Sequence, residues 1–204
     1  SLPSRGLGDV YKRQLLGTTN SKDQINNAYY IDGTYAFFTY IIRWIIDNYQ
    51  SILSCIMNLL EKEPVKRAER ALKDFNSKLS VVILEETART AIDASNSLKC
   101  EVGAIVKSLL FKTGTDFILC LVAGDKRCSL NKLKTITNIK DISMASPEEV
   151  KAQTGYTIGG VSPIGHINKI EILIDNSLER FSYLYAAAGH PNCIFKINFK
   201  AVSY

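Results

Sequence analysis

The chain has 204 residues, 46% of them hydrophobic and 22% charged, with a formal net charge of +5 and a pI near 8.9. This is the composition of a soluble globular protein. It excludes disordered and collagen-like classes, and its mild basicity allows a polyanionic partner without requiring one. The five cysteines, Cys55, Cys100, Cys120, Cys128 and Cys193, form no CxxC pair, so neither a disulfide framework nor a zinc site is expected, and a reducing cytoplasm is the expected setting.

Residues 1–14, SLPSRGLGDVYKRQ, read as a translated sequencing adapter and are set aside. Residues 15–30 are polar and aperiodic. Tyr35–Ile56 is apolar but interrupted by Arg43 and Asp47, and its longest uncharged run is too short to span a bilayer. A helix lying on a membrane surface is the competing reading of this stretch. Coherent patterning starts at Met57. Residues 1–56 are therefore expected to be a non-native or disordered extension, and 57–204 the functional domain.

From there the elements follow in order. Asn58–Asn76 reads as a helix, with Pro64 in its first turn and Val65, Ala68, Leu72 and Phe75 at helical spacing. Leu79–Glu85 is β-branched and apolar, a strand. Thr90 caps a short helix ending at Leu98. Ala104–Phe111 and Asp116–Ala123 form two strands around the Lys112–Thr115 turn. Ser129–Thr137 is a helix. Ser146, Pro147, Glu149 and Gly155 mark the cap, first turn and end of another. Ile170–Ile174, Tyr183–Ala188 and Ile194–Phe199 are the last strands, with a helical turn over Asn176–Phe181. This order predicts a mixed sheet, partly barrel-like, with helices packed outside.

Several residues could carry chemistry. Thr154–His166, TGYTIGGVSPIGH, holds adjacent glycines and a proline, a way to build a rigid loop that offers main-chain N–H groups to an oxyanion or phosphate. Read alone, it also fits an ordinary tight turn. Lys107 interrupts an otherwise apolar strand, which suits a cleft facing an anion or, alternatively, an edge strand whose lysine reaches water. His190 lies in a Gly-His-Pro turn at a strand end, and His166 ends the glycine loop. Asp175 is placed to cap the turn after its strand. Cys193 is near His190 in sequence, but a Cys–His nucleophile needs a contact that this spacing does not supply. No GxSxG, HExxH, P-loop or GxGxxG motif is present.

The stretches CEVGAIVKSLLF, LVAGDKRCSLNKL, MASPEEVKAQTGYTIGGVSPIGH, ILIDNSL and YAAAGHPNCIF, in this order, resemble the YbaK/prolyl-tRNA-synthetase-associated editing superfamily. The resemblance runs from Val65 to the end. It implies an α/β (α+β) fold with a mixed, partly barrel-like sheet, and a free-standing deacylase that hydrolyses mischarged aminoacyl-tRNA, tRNA-Pro or a related species. Lys107 matches the family's pocket lysine, and Gly159, Gly160, Val161, Ser162 and Pro163 match the loop that lines the site. Asp175 matches an acidic position after the next strand, and Gly189 and His190 a late glycine-containing turn. Lys107, Gly159, Gly160 and Ser162 are thereby expected in catalysis, with Val161, Pro163, Asp175, Gly189 and His190 in substrate binding. Relatives that edit Ala-tRNA carry asparagine after the lysine, where this chain has Ser108. No cofactor or metal is implied. The expected partners are mischarged aminoacyl-tRNA and an aminoacyl-tRNA synthetase, with no membrane and a monomeric or weakly dimeric state. A module of the same fold that binds tRNA ends or nucleotides without hydrolysis is the alternative.

Overall fold

The computed structural model describes residues 33–84 and 90–202. The adapter-like residues 1–14, the polar stretch 15–30 and Glu85 at the end of the expected first strand lie outside them. The chain divides into two compact units, Ser1–Ser54 and Cys55–Tyr204. Helix α1 (Gly33–Glu61) begins in the first and ends in the second. It leaves Phe38, Tyr40, Trp44 and Tyr49 exposed. No helix among the described residues is long and apolar enough to cross a membrane.

Helix α2 (Glu63–Phe75) follows after a break at Lys62, whose backbone is extended at φ −64° and ψ 130°. The single helix expected over 58–76 is thus two. Pro64 has no N–H for the carbonyl four residues back, and its ring would collide with that carbonyl, so a continuous helix must stop before it. A new helix starts with the proline in its first turn, where no donor is needed. Val65, Ala68 and Leu72 are fully buried on one face of α2. Each large member of that stripe contributes roughly 1.5–3 kcal/mol by leaving water.

Among the described residues, seven strands form one sheet: β1 (Val82–Ile83), β2 (Ile105–Thr113), β3 (Asp116–Ala123), β4 (Ile142–Met144), β5 (Glu171–Ile174), β6 (Leu184–His190) and β7 (Cys193–Ile197). Their order is β1-β7-β6-β2-β3-β5, with β4 beside β2. The β2–β6 and β3–β5 pairs are parallel and the rest antiparallel. The sheet is therefore mixed, as expected, and it is open: the strand path has two ends rather than closing into a barrel.

Strand β2 is the hub. It pairs with β3 from Val106 to Thr113. On its other edge it pairs with β6 at Ile105 and Val106 and with β4 only from Phe111 onward. Lys107 stands at the point where that edge changes partner. Side chains alternate across β2. Val106 and Leu110 join the main core with α2, Leu119, Leu121 and Phe195. Ile105 and Phe111, on the face that Lys107 shares, pack in two smaller clusters with α3 (Ala91–Leu98) and α4 (Leu130–Thr137).

The expected caps at Thr90 and Ser146 are present. Thr90 and Asp93 form a reciprocal capping box, as do Ser146 and Glu149 on α5 (Pro147–Thr154), which ends on Gly155 at φ 73°. Glu149 also pairs with Lys112 at 2.7 Å, tying α5 to β2. Two 3₁₀ turns, Val102–Ala104 and Asn176–Arg180, and a last helix α6 (Phe199–Val202) complete the described fold.

Candidate active site

Lys107 lies on a central strand, not an edge. Its ammonium donates to the Gly124 carbonyl at 3.1 Å and to the Lys126 carbonyl. An ammonium has three N–H bonds, so one remains for a ligand. Burial pushes the Lys107 pKa down, opposed by the Asp125 and Asp175 carboxylates and reinforced by Arg127. The turn that supplies the two carbonyls is itself clamped. Arg180 Nη2 lies 3.0 and 3.1 Å from the two Asp125 carboxylate oxygens, its Nε donates to the Ser177 carbonyl at 2.7 Å, and its guanidinium stacks 4.8 Å over Phe181. The Arg180 contact holds the Asp125 carboxyl below its ordinary pKa. Asp175 caps the following turn by accepting the Ser177 N–H at 2.9 Å, and it reaches Lys107 through its charge.

The glycine loop is fixed from α2. Arg67 Nε donates to the Gly165 carbonyl at 2.8 Å, and Nη2 to the Gly155 carbonyl at 2.7 Å. Arg67 also stacks 4.6 Å over the ring of Tyr156, which is fully buried and whose hydroxyl lies 2.9 Å from the Ile164 carbonyl. His166 Nε2 is 2.7 Å from the Ser162 carbonyl, an internal loop contact.

The loop is also pinned to the end of β6. The Gly189 N–H donates to the Gly160 carbonyl at 3.0 Å. A Cβ on Gly160 would fall 2.9 Å from the Gly189 carbonyl carbon and the His190 nitrogen. Gly189 has φ +86°, and a Cβ there would meet the Pro64 carbonyl oxygen at 2.5 Å. Three backbones converge at this point, and only glycine fits at either position.

Of the loop's donors, the Gly160 N–H is spent on the Thr157 carbonyl at 2.9 Å. The N–H groups of Gly159, Val161 and Ser162 take no acceptor among the described residues. Val161 and Ser162 are buried, and buried N–H groups without an acceptor are rare. The Ser162 side chain turns inward: it is fully buried and its hydroxyl accepts the Ile164 N–H at 3.4 Å.

A cavity of about 120 Å³ brings several expected residues together. Lys107 and Gly159 line it, with Ala91, Ala94, Ala187 and Pro191 among its walls. Gly160, Gly189 and His190 do not line it; Gly160 and His190 are chain neighbours of the lining residues Gly159 and Pro191, and Gly189 bonds Gly160. Val161 belongs to the main core. Pro163 lines a different cavity of about 390 Å³ whose lining side chains are all apolar. That larger space offers no side-chain group to hold an ester or a ribose, so the smaller one is the candidate site. Ser108 is on the opposite face of β2 from Lys107, its hydroxyl buried without a partner among the described residues.

His190 Nδ1 accepts the Asn192 N–H at 3.2 Å, and Nε2 lies 3.3 Å from the Lys62 ammonium. Burial and the Lys62 charge both push the imidazole pKa down. Cys193 pairs with His190 across the hairpin but is fully buried, and burial pushes its thiol up to about 11. At neutral pH it is a protonated thiol and no nucleophile. Among the described residues no group of three or more His, Cys, Asp or Glu side chains could hold a metal ion.

Arg67, Tyr156, Asp125, Arg180 and Lys62 were not singled out by the sequence. A basic residue beside the apolar stripe of α2 was the one available signal for Arg67.

Comparison with known proteins bears directly on this arrangement. The family model of the aminoacyl-tRNA editing domain matches residues 85–202. The uncharacterised protein YwhH of Bacillus subtilis is 31% identical over 140 residues, covering 68% of this chain and 88% of its own length. A proline–tRNA ligase of Kosmotoga olearia is 32% identical over 121 residues, 58% of this chain, but the chain spans only 19% of that ligase. A crystal structure of a proposed trans-editing enzyme for prolyl tRNA synthetase superposes with a TM-score of 0.66 at 34% identity, covering 69% of this chain and 90% of that one. With more than half its length matched by the family model, and the lysine, glycine loop and late turn assembled in one place, this chain belongs to the aminoacyl-tRNA editing domain family.

Proposed function

We propose that this protein is a trans-acting aminoacyl-tRNA deacylase, which cleaves the ester between an amino acid and the terminal ribose of mischarged tRNA-Pro or a related tRNA. The observation that carries the reading is a small cavity lined both by Lys107, whose ammonium is partly satisfied, and by Gly159, whose N–H takes no acceptor among the described residues. An aminoacyl ester is already activated, so hydrolysis needs a placed water and stabilisation of the developing oxyanion.

The Gly159 N–H, on the cavity wall, is the first candidate oxyanion donor, followed by Val161 and Ser162. Ser162 contributes through its backbone, since its hydroxyl is turned inward. Gly160 contributes shape: its contact with Gly189 sets where the loop stands. The remaining Lys107 N–H anchors an oxygen of the 3′-terminal aminoacyl-adenosine and adds positive potential. Water adds to the acyl carbon, the bond to the ribose oxygen breaks, that oxygen takes the proton, and the free amino acid leaves. The neighbouring ribose hydroxyl positions the water, so no protein nucleophile is required. A cavity of about 120 Å³ with four alanines, Ala91, Ala94, Ala186 and Ala187, in its wall suits a small acyl group.

Deacylation of Ala, Cys, Ser and Thr esters on tRNA-Pro, by the full chain and by residues 57–204, tests the reading. Turnover of one ester in preference to the others is expected, with K107A silent and its circular dichroism unchanged. Full activity in K107A would remove the lysine from the mechanism. No turnover of any ester, with tRNA still bound, would leave a non-catalytic tRNA-end module. Equal activity in the shorter chain is expected if residues 57–204 are the functional domain.

A further inference from the structure

We propose that Lys62 and His190 form a subsite for a backbone phosphate of the tRNA 3′ end at the rim of the cavity; the owner of the phosphate rests on the deacylase reading above. The Asn192 N–H donates to His190 Nδ1, so in the neutral imidazole the proton sits on Nε2. That Nε2–H then faces the Lys62 ammonium at 3.3 Å. Two donors point at one another with no acceptor between them, an arrangement that an anion oxygen accepting from both relieves.

The neighbouring carboxylates are committed elsewhere. Glu61 pairs with Lys66, and Glu63 pairs with Arg70 at 2.6 Å. Lys62 is therefore flanked by two acids that do not neutralise it. The pair is also in the right place. Pro191, next to His190, lines the cavity and would lie 3.3 Å from a Cβ on Gly159. Gly189, on the other side of His190, abuts the Pro64 carbonyl at the start of α2. The break between the two helices at Lys62 thus places this lysine beside His190, which precedes the cavity-lining Pro191. A single-stranded RNA end entering the cavity offers phosphodiester oxygens at this position.

The test is binding of a fluorescent ACCA oligonucleotide to the full chain over a range of salt concentrations, free of any catalytic step. K62Q should weaken binding about 5- to 10-fold at low salt. It should also flatten the salt dependence of log K by about 0.7, one single-strand phosphate. K62R should restore both, and K66Q, on the same helix surface, should leave both unchanged. Unchanged affinity and slope in K62Q would overturn the subsite, and so would saturation of the site by inorganic phosphate as readily as by the oligonucleotide. Ester hydrolysis measured on the same preparations separates the two readings. Loss of oligonucleotide binding in K62Q without turnover of any ester by wild type keeps the subsite and removes the deacylase. Turnover with K62Q indistinguishable in binding and slope does the reverse.

Discussion

The surroundings of Lys107 and Lys62 differ in kind. Lys107 reaches a turn whose carbonyls were built to receive it. Two of its N–H bonds are taken, and the turn is braced by Asp125 and Arg180. Lys62 reaches an imidazole nitrogen that already bears a proton, between acids engaged with other partners. The first is positioned by the protein and needs little from a ligand. The second, in the subsite proposed for it, is completed by an anion. A preorganised charge stabilises charge that develops during a reaction, whereas an unsatisfied one recruits charge that already exists.

The largest expected effect breaks the preorganised side. K107A should lower deacylation kcat/KM by about 10²-fold or more, with thermal unfolding little changed. Next comes the contact between Gly160 and Gly189. G160A drives a methyl into the Gly189 backbone, and a loss on the order of 1–3 kcal/mol in unfolding free energy, measured in urea, is expected together with reduced activity.

Smaller and more informative is D125N. Asp125 raises the Lys107 pKa against the lowering by burial, so removing its charge lowers that pKa further. In the proposed mechanism the protonated lysine is the working form. The alkaline limb of the pH–rate profile should therefore move to lower pH, and an unmoved limb would show that Lys107 does not act through its charge. The smallest effect sharpens the other side. Lys62 depresses the His190 pKa, so K62Q should shift the imidazole titration, followed by NMR, to higher pH.

Much of this was legible locally. Thr90, Ser146 and Gly155 announce their helix ends because capping is a matter of a few consecutive residues. The β2–β3 pair follows from two apolar runs around a short turn. Lys107 stood out because a lysine amid apolar neighbours is costly without a purpose. What escaped depends on contacts between distant segments. The inward turn of Ser162 follows from a loop held by Arg67, 98 positions before Gly165. Lys62 and His190 are 128 positions apart. Strand β4, with three residues, and α6, with four, are too short for periodicity to register. The two-residue β1 owes its existence to pairing with β7.

The contact between Gly160 and Gly189 has a consequence for how this protein can change. Neither glycine tolerates a side chain, because each meets backbone rather than a side chain that could move aside. Ala91, Ala94 and Ala187 also line the cavity, and none of them hydrogen-bonds Lys107 or the loop. In the proposed deacylase, the glycines that set the loop and the alanines that size the acyl space thus occupy separate positions. Laboratory evolution of a new ester preference should collect its substitutions on the alanine wall and leave the glycine hinge untouched.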